Sequence, residues 1–188
     1  MEMRTLRTIP QTFETREDGD LRVIEGYFAV FDSVYQIADG MSESINRHAF
    51  DKTISGDIRC LINHDTTLVL GRTKAHTLEL RVDEHGLWGK ALINPNDTDA
   101  MNLWARVQRG DVDGCSIGFE IVKESTETRN DGSIHWEIQE MNLFEVSACT
   151  FPAYTETDIK ARSHEADEIR KRNRQLWQET MLRRLKGE

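Results

Sequence analysis

Hydrophobic and polar positions alternate over most of the chain, a pattern typical of strands that bury one face. Turn-forming residues separate these segments, for example EDGD at 17–20 and TRNDGS at 128–133. We predict about eight strands, which lie over 4–9, 21–30, 41–45, 57–63, the hairpin 77–93, 115–124 and two further strands within 133–151.

Three segments have the apolar spacing of a helix instead. Two of them are short, over residues 46–54 and 94–110, and the third runs from about 158 to 186 with only a narrow apolar stripe. These elements predict a mainly β fold, an antiparallel β-barrel ringed by short helices. The barrel domain is expected over residues 1–157, and a C-terminal helical tail over residues 158–188.

Charge divides the chain at the same place. The net charge is −9, and residues 158–188 hold nine Lys or Arg against six Asp or Glu, so their +3 leaves −12 on residues 1–157. An acidic total argues against a nucleic-acid binder. A basic tail on an acidic body suggests that the tail meets another acidic surface, and the alternative is a solvated helix without a partner.

Composition limits the setting in which the protein works. The chain is 38% hydrophobic and 30% charged, and its longest apolar runs are too short for a membrane span. The first residues lack the apolar core of a secretory signal, so we expect a cytoplasmic protein that is not secreted. Three cysteines without a CxxC spacing predict buried free thiols and not a disulfide framework.

Ser116 is the first candidate for chemistry. It begins a strand and has three glycines near it, Gly110, Gly114 and Gly118. Such glycines let a substrate main chain approach closely and leave N–H groups that can face an oxyanion. Strand alternation places Ser116 and Gly118 on one face and Cys115 on the other, which is expected to face the core. The alternative is an ordinary strand serine beside a turn.

His64 is the candidate base, because a serine hydroxyl is a weak nucleophile that needs a proton acceptor within hydrogen-bond reach. Imidazole suits this task since its pKa lies near neutrality. His64 follows the strand 57–63, at a strand end from which a side chain can project into a cleft. The other five histidines lie in a turn, in the tail, on the short helix or among charged strand neighbours. The alternative is a surface histidine at a strand end.

Glu145 is the candidate that orients the imidazole. Alternation groups it with Leu143 and Ser147 on one face of an apolar strand, where an acid is costly unless it is paired. Asp65 is the rival, although neighbouring strand residues point to opposite faces, which counts against it beside His64. The alternative for Glu145 is an exposed carboxylate at a sheet edge.

Other hydrolytic chemistries have weaker support. The sequence has no HExxH motif and no paired-carboxylate signature, so we expect neither a metal nor a cofactor. Cys115 is a conceivable nucleophile, but it is expected to point into the core.

Several segments, in this order, resemble the prohead maturation proteases of tailed phages. They are IEGYFAVFD at 24–32, INRHAFDKTI at 45–54, INHD around His64, LGRT at 70–73, GCSIGFE at 114–120 and LFEVSACTFPAY at 143–154. The resemblance covers about residues 20–155. The family is similar in fold to herpesvirus assembly proteases, a barrel of mostly antiparallel strands ringed by helices.

The resemblance implies a serine endopeptidase whose catalytic residues follow the order histidine, serine, third member. On this sequence they fall on His64, Ser116 and Glu145, where herpesvirus enzymes use a second histidine in place of the acid. Arg72 of LGRT has no assigned role. The implied partners are the scaffolding segment of the major capsid protein, a separate scaffold protein and the chain itself, inside the assembling prohead in the host cytoplasm. A homodimer remains open.

Two other functions remain open at this stage. One is a catalytically silent scaffold or shell-binding protein with the same fold, suggested by the basic tail. The other is a peptidase-like acyltransferase, which would give a modified product in place of a hydrolysed one.

Overall fold

The computed structural model describes residues 5–10, 13–18, 21–31, 33–151 and 156–186. Seven strands form the larger sheet: β1 (Thr5–Pro10), β4 (Tyr35–Ala38), β5 (Met41–Ile45), β6 (Arg59–Ile62), β7 (Asp65–Arg72), β10 (Gly114–Thr128) and β11 (Ile134–Cys149). Its order is β1-β10-β11-β5-β4, with β6 beside β11 and β7 beside β6.

Strand β11 organises the larger sheet because its two halves have different neighbours. Its first half pairs in parallel with β5, and residues 145–148 pair in parallel with β6. Along its length it also pairs antiparallel with β10. The second half of β11 therefore lies between the strand that carries Ser116 and the strand that leads to His64.

Four strands form the smaller sheet: β2 (Glu14–Asp18), β3 (Leu21–Val30), β8 (Leu78–Val82) and β9 (Gly86–Ile93), in the order β2-β3-β9-β8. A short 3₁₀ helix, Thr73–Ala75, precedes β8. Helix α1 (Thr98–Arg109) begins at Asp97, whose carboxylate accepts two main-chain N–H groups, and ends at Gly110 with φ of 78°. Gly110 tolerates this left-handed conformation because it has no Cβ.

Side chains from both sheets and from α1 meet in one core. Phe28 and Leu87 of the smaller sheet, Ile117 and Val146 of the larger sheet, and Leu103 of α1 are all at most 2% exposed. Burying a side chain of this size stabilises the fold by roughly 1.5–3 kcal/mol. This shared core fixes how β10 and β11 are placed, and with them the candidate site.

Helix α2 (Glu156–Lys186) packs its described proximal part against the larger sheet. Ala166 and Ile169 contact a second, smaller apolar cluster that includes Ile134 and Trp136 of β11. Further along, residues 171–180 are all exposed. Among the described residues, no helix is both long and apolar enough to cross a membrane.

The mainly β class predicted from the sequence is confirmed, together with the hairpin over 77–93 and the long C-terminal helix. The closed barrel is not: the described strands form two separate sheets, and the larger one has open edges at β1, β4 and β7. Strands β2, β4 and β7 were not predicted. The two strands expected within 133–151 form the single strand β11, since bulges bend it without ending it.

The short helix predicted over 46–54 is also wrong. The segment is a series of turns, in which Ala49 N–H donates to Asn46 O and Asp51 N–H to His48 O. These bonds span three residues, so the backbone does not build a regular helix. Ala49 and Phe50 are nevertheless buried, as their apolar spacing predicts.

Candidate active site

His64 lies in a two-residue turn that joins β6 to β7. Asn63 and His64 both have positive φ angles, 48° and 63°, the geometry of a tight hairpin turn with the twist of its strands. Asn63 ties the turn to the end of β11, because its N–H donates to Ala148 O at 2.9 Å and its side-chain oxygen accepts the Thr150 N–H at 2.9 Å. These contacts hold a conformation that non-glycine residues adopt at a cost.

The imidazole of His64 contacts Glu145 directly. His64 Nδ1 lies 2.6 Å from Glu145 Oε1, and the two side chains are 12% and 0% exposed. A carboxylate only accepts hydrogen bonds, so we assign the Nδ1 proton to this bond and leave Nε2 as an acceptor. Within the described part of the chain, His64 Nε2 is buried and has no hydrogen-bond partner.

Ser147 completes the surroundings of Glu145. Its hydroxyl donates to Glu145 Oε2 at 2.6 Å and accepts the main-chain N–H of His64 at 3.3 Å. Both carboxylate oxygens of Glu145 are thus hydrogen-bonded, which a buried charge requires. Strand alternation predicts that Ser147 shares the face of Glu145. The sequence predicts no role for it, because a serine two residues along a strand carries no distinguishing signal.

Ser116 lies on the same face of the sheet as these groups. In the β10–β11 ladder Ser116 is directly opposite Ser147, and Gly118 is directly opposite Glu145. Directly opposed residues of an antiparallel pair project to the same side. The hydroxyl and the acid that sequence analysis singled out therefore share one face, and the side chain of His64 reaches it. Ser116 is 0% exposed.

A bulge in β11 corrects part of the alternation expected from the sequence. Gly118 pairs with Glu145, but Phe119 pairs with Leu143, so Phe144 is an extra residue. Leu143 accordingly packs in the core with Phe119, not on the face of Glu145. Because of the extra residue, Leu143 and Glu145 point to opposite faces of β11, and Glu145 lies on the face that bears Ser116.

Gly118 makes room for the acid. A Cβ atom at this position would lie 2.2 Å from Glu145 Oε1 and 2.9 Å from its carboxyl carbon. No side chain fits there while Glu145 keeps its place. The sequence suggested that this glycine admits a substrate main chain, whereas in the structure the close neighbour is Glu145.

The rival orienter Asp65 is engaged elsewhere. Its carboxylate accepts the Thr67 N–H at 2.8 Å and the Thr67 hydroxyl at 2.6 Å. These bonds lower the pKa of Asp65 below its usual value. The acid in contact with the His64 imidazole is Glu145.

The three cysteines are free and buried. Cys115 lies in the core and its thiol donates to Tyr27 O at 2.8 Å, on the side of β10 away from Ser116. Burial, with the nearby charge of Glu145, raises the pKa of Cys149 to about 12 and also raises the pKa of Cys60. Thiols held protonated are poor nucleophiles, so Cys60 and Cys149 do not compete with a hydroxyl here, and Cys115 faces the core.

Arg72 of the LGRT motif lies at the other end of the β6–β7 hairpin, opposite Arg59. Its guanidinium donates two hydrogen bonds to the Asp57 carboxylate, at 2.7 and 2.5 Å. This contact lowers the pKa of Asp57 to about 2. Arg72 stabilises the open end of the hairpin and does not contact the imidazole of His64, which lies in the turn at the other end.

Serine–histidine–acid hydrolases hold the imidazole at Nδ1 with a carboxylate and place the serine hydroxyl at Nε2. Here the contact at Nδ1 is present, and Ser116 lies on the same sheet face without a hydrogen bond to Nε2 among the described residues. The sequence comparisons agree with this class. Residues 11–172 match the family model of the caudovirus prohead serine protease, and the chain belongs to this family.

Two relatives illustrate the match. The chain is 32% identical over 148 residues to the prohead protease of Enterobacteria phage HK97, across 77% of this chain and 61% of that protein. The structure of the bacteriophage T4 capsid assembly protease superposes with a TM-score of 0.51 over 78% of this chain and 96% of that chain. At 14% identity the T4 likeness shows the fold alone.

Proposed function

We propose that this chain is a serine endopeptidase with Ser116 as nucleophile, His64 as base and Glu145 as the group that orients the base. The observation that carries this proposal is the 2.6 Å contact between His64 Nδ1 and the buried Glu145, on the sheet face that bears Ser116. Membership of the prohead serine protease family supports the same assignment.

The proposed reaction is acyl transfer to water. His64 Nε2 takes the proton of the Ser116 hydroxyl as its oxygen attacks a peptide carbonyl, and later gives a proton to the leaving amine. Water then hydrolyses the acyl-enzyme by the same route. Glu145 keeps the Nδ1 proton in place and offsets the positive charge that His64 gains during each step.

The proposed substrates are the scaffolding segment of the major capsid protein, any separate scaffold protein and the chain itself. Their support is the naming of the HK97 relative as a prohead protease. The chain is expected to work inside the assembling prohead. Ser116 is fully buried, so a peptide reaches it only after part of the chain moves, and we propose that this restraint delays cleavage until assembly.

A scaffold- or shell-binding role is a second candidate. It is favoured by the distal part of α2, where Leu176, Trp177 and Leu182 are 55%, 61% and 57% exposed among basic residues. Exposed apolar side chains on a basic helix suit contact with an acidic protein surface. This role is compatible with catalysis, so only a variant that removes the nucleophile separates the two.

The test is co-expression of the chain with the capsid protein of its own phage. Wild type should trim the capsid protein, and Ser116→Ala should leave it at full length, because loss of a triad member lowers the rate on the order of 10⁴ to 10⁶. Ser125→Ala, a serine further along β10, is the matched control and should trim normally. Equal trimming by wild type and Ser116→Ala would exclude Ser116 as the nucleophile. Full-length capsid protein with both, in shells that still assemble, would leave the binding role.

A further inference from the structure

We propose that Ser147 is a positioning residue, which holds the Glu145 carboxylate and the His64 main chain in the arrangement that the reaction needs. This inference rests on the proposed function, and it adds a fourth residue to the three assigned from the sequence. It concerns how Glu145 and His64 are held in position relative to each other, and it adds no step to the reaction.

Both carboxylate oxygens of Glu145 have a hydrogen-bond partner. One carboxylate oxygen contacts His64 Nδ1 at 2.6 Å and the other accepts the Ser147 hydroxyl at 2.6 Å. The Ser147 bond is in the range of charge-assisted O–H···O hydrogen bonds, and the His64 contact is at the short end for an N–H donor. Because Glu145 is completely buried, an oxygen that lost its partner would not find water in its place. Ser147 thus fixes the rotation of the carboxylate that aims Oε1 at the imidazole.

The hydrogen bonds at Ser147 have defined directions. A hydroxyl has one proton to donate and two lone pairs. Its proton goes to Glu145, which can only accept, and a lone pair receives the His64 N–H at 3.3 Å. One small side chain therefore connects the acid on β11 to the turn that carries the base. The bond to the turn is the longer of the two, so the bond to Glu145 contributes more.

The contacts of Ser147 distinguish a positioning residue from a nucleophile. Ser147 lies directly opposite Ser116, so it is a neighbour of the proposed nucleophile. Its proton, however, is directed to Glu145 and not to the imidazole. A nucleophile has to give its proton to the base, and the nitrogen that remains for this purpose is His64 Nε2.

The experiment compares Ser147→Ala and Ser147→Cys with wild type and with Ser116→Ala. Cleavage of the capsid protein gives kcat and KM, and proton NMR follows the low-field Nδ1–H signal of His64. Ser147→Ala should lower kcat about 10²-fold, the cost of a small misplacement of a catalytic group, with KM unchanged. The Ser147→Cys variant has a thiol of similar volume that is only a weak donor, so its kcat should lie between those of wild type and Ser147→Ala. In both variants the Nδ1–H signal should move.

Each result has a defined meaning. Wild-type kcat and an unmoved Nδ1–H signal in Ser147→Ala overturn the inference. Should Ser147→Ala fail to fold, the near-isosteric Ser147→Cys decides by the same signal. Equal kcat for Ser147→Cys and wild type would mean that Ser147 contributes only by packing, which would also overturn the inference. Full activity in Ser116→Ala would refute the peptidase itself, while the Nδ1–H signal still reports whether Ser147 positions the Glu145–His64 pair.

Discussion

Two glutamates of the larger sheet, Glu43 and Glu145, are both 0% exposed, yet their partners differ. Glu43 on β5 accepts a hydrogen bond from Arg162 of α2 at 3.1 Å, whereas Glu145 on β11 contacts His64 and Ser147. Arginine stays charged throughout the pH range in which proteins fold, so the Glu43 pair is static. Histidine gains and loses a proton near neutral pH, so the Glu145 pair can take part in a reaction. Both regions bury a glutamate. The residue that contacts it distinguishes the structural ion pair at Glu43 from the candidate catalytic pair at Glu145.

The Arg162 cluster also shows how the charge of a buried arginine is maintained. Its guanidinium contacts Glu124 and Glu165 in addition to Glu43, and it lies 4.8 Å from the centre of the Trp136 ring. Burial opposes the charge, but the hydrogen bonds that Arg162 donates to Glu124 and the charges of Glu43 and Glu124 outweigh it and raise the pKa of Arg162. This cluster attaches α2 to the sheet far along β11 from the candidate site.

The comparison is tested most strongly by removing one charge from each pair. Glu145→Gln should lower kcat/KM on the order of 10⁴, because an amide cannot hold the required tautomer or offset the charge of the imidazolium. Glu43→Gln should keep full activity and lower the free energy of unfolding by about 3 kcal/mol, toward the low end for a broken buried pair because Glu124 and Glu165 still contact Arg162. Capsid-protein cleavage and urea denaturation measure the two effects. A comparable loss of activity in both variants would contradict the distinction.

Removing the cation tests the structural half of the comparison. Arg162→Ala should lower the free energy of unfolding by about 3–5 kcal/mol, because it leaves the buried Glu43 without its charged partner. The control is Arg170→Ala on the same helix, whose pair with Asp167 is 43% and 76% exposed. Exposed pairs contribute little, so the control should change stability by at most about 1 kcal/mol. Similar urea midpoints for both variants would show that the cluster does not hold α2 in place.

The acid of the candidate site can also be displaced without changing its charge. In Gly118→Ala the new methyl group would overlap Glu145 Oε1, so the carboxylate must shift away from His64. We expect kcat to fall about 10²-fold and the free energy of unfolding to fall by roughly 1–3 kcal/mol from overpacking. Cleavage assays and urea denaturation measure these losses. Wild-type activity would mean that the 2.6 Å contact is not needed for the reaction.

The sequence predicts the three candidate residues but not how they are brought together. Ser116 and His64 follow from residue type and from their places next to turns. Glu145 follows from an acid in an apolar strand that needs a partner, and the resemblance implies the same three residues. Strand alternation failed at Phe144, because a bulge is set by the pairing of two distant strands and leaves no local pattern. Ser147 and Arg162 could not be recognised for a related reason. Their importance comes from what they contact across the sheet, at sequence separations of 83 and 119 residues.

The sequence predicts the mainly β class of the fold correctly, but its prediction of a closed barrel is wrong. Apolar alternation indicates that a segment is a strand, but it does not specify which strand lies next to it. Short strands such as β4 carry too few positions for a clear period. The segment 46–54 has helical spacing of its apolar residues, yet Ala49 and Phe50 are buried by a series of turns. Tertiary packing requires only that these two side chains point into the core, so it overrides the helical preference of the local sequence.

The smallest expected effect concerns an acid–arginine pair that water reaches, Asp57 with Arg72, whose side chains are 38% and 39% exposed. The hydrogen bonds from Arg72 lower the pKa of Asp57 to about 2, below its value of about 3.9 in an unfolded chain. A lowered carboxyl pKa stabilises the fold above the unfolded value, and this contribution is lost as pH falls toward 2. Asp57→Asn should therefore be less stable than wild type at pH 7, and the difference should shrink between about pH 4 and about pH 2. Thermal unfolding across this range measures it, with Arg72→Lys as a variant that keeps the charge and loses the bidentate fork. A difference that stays constant with pH would show that Asp57 acts through packing and not through its charge, unlike the buried pairs.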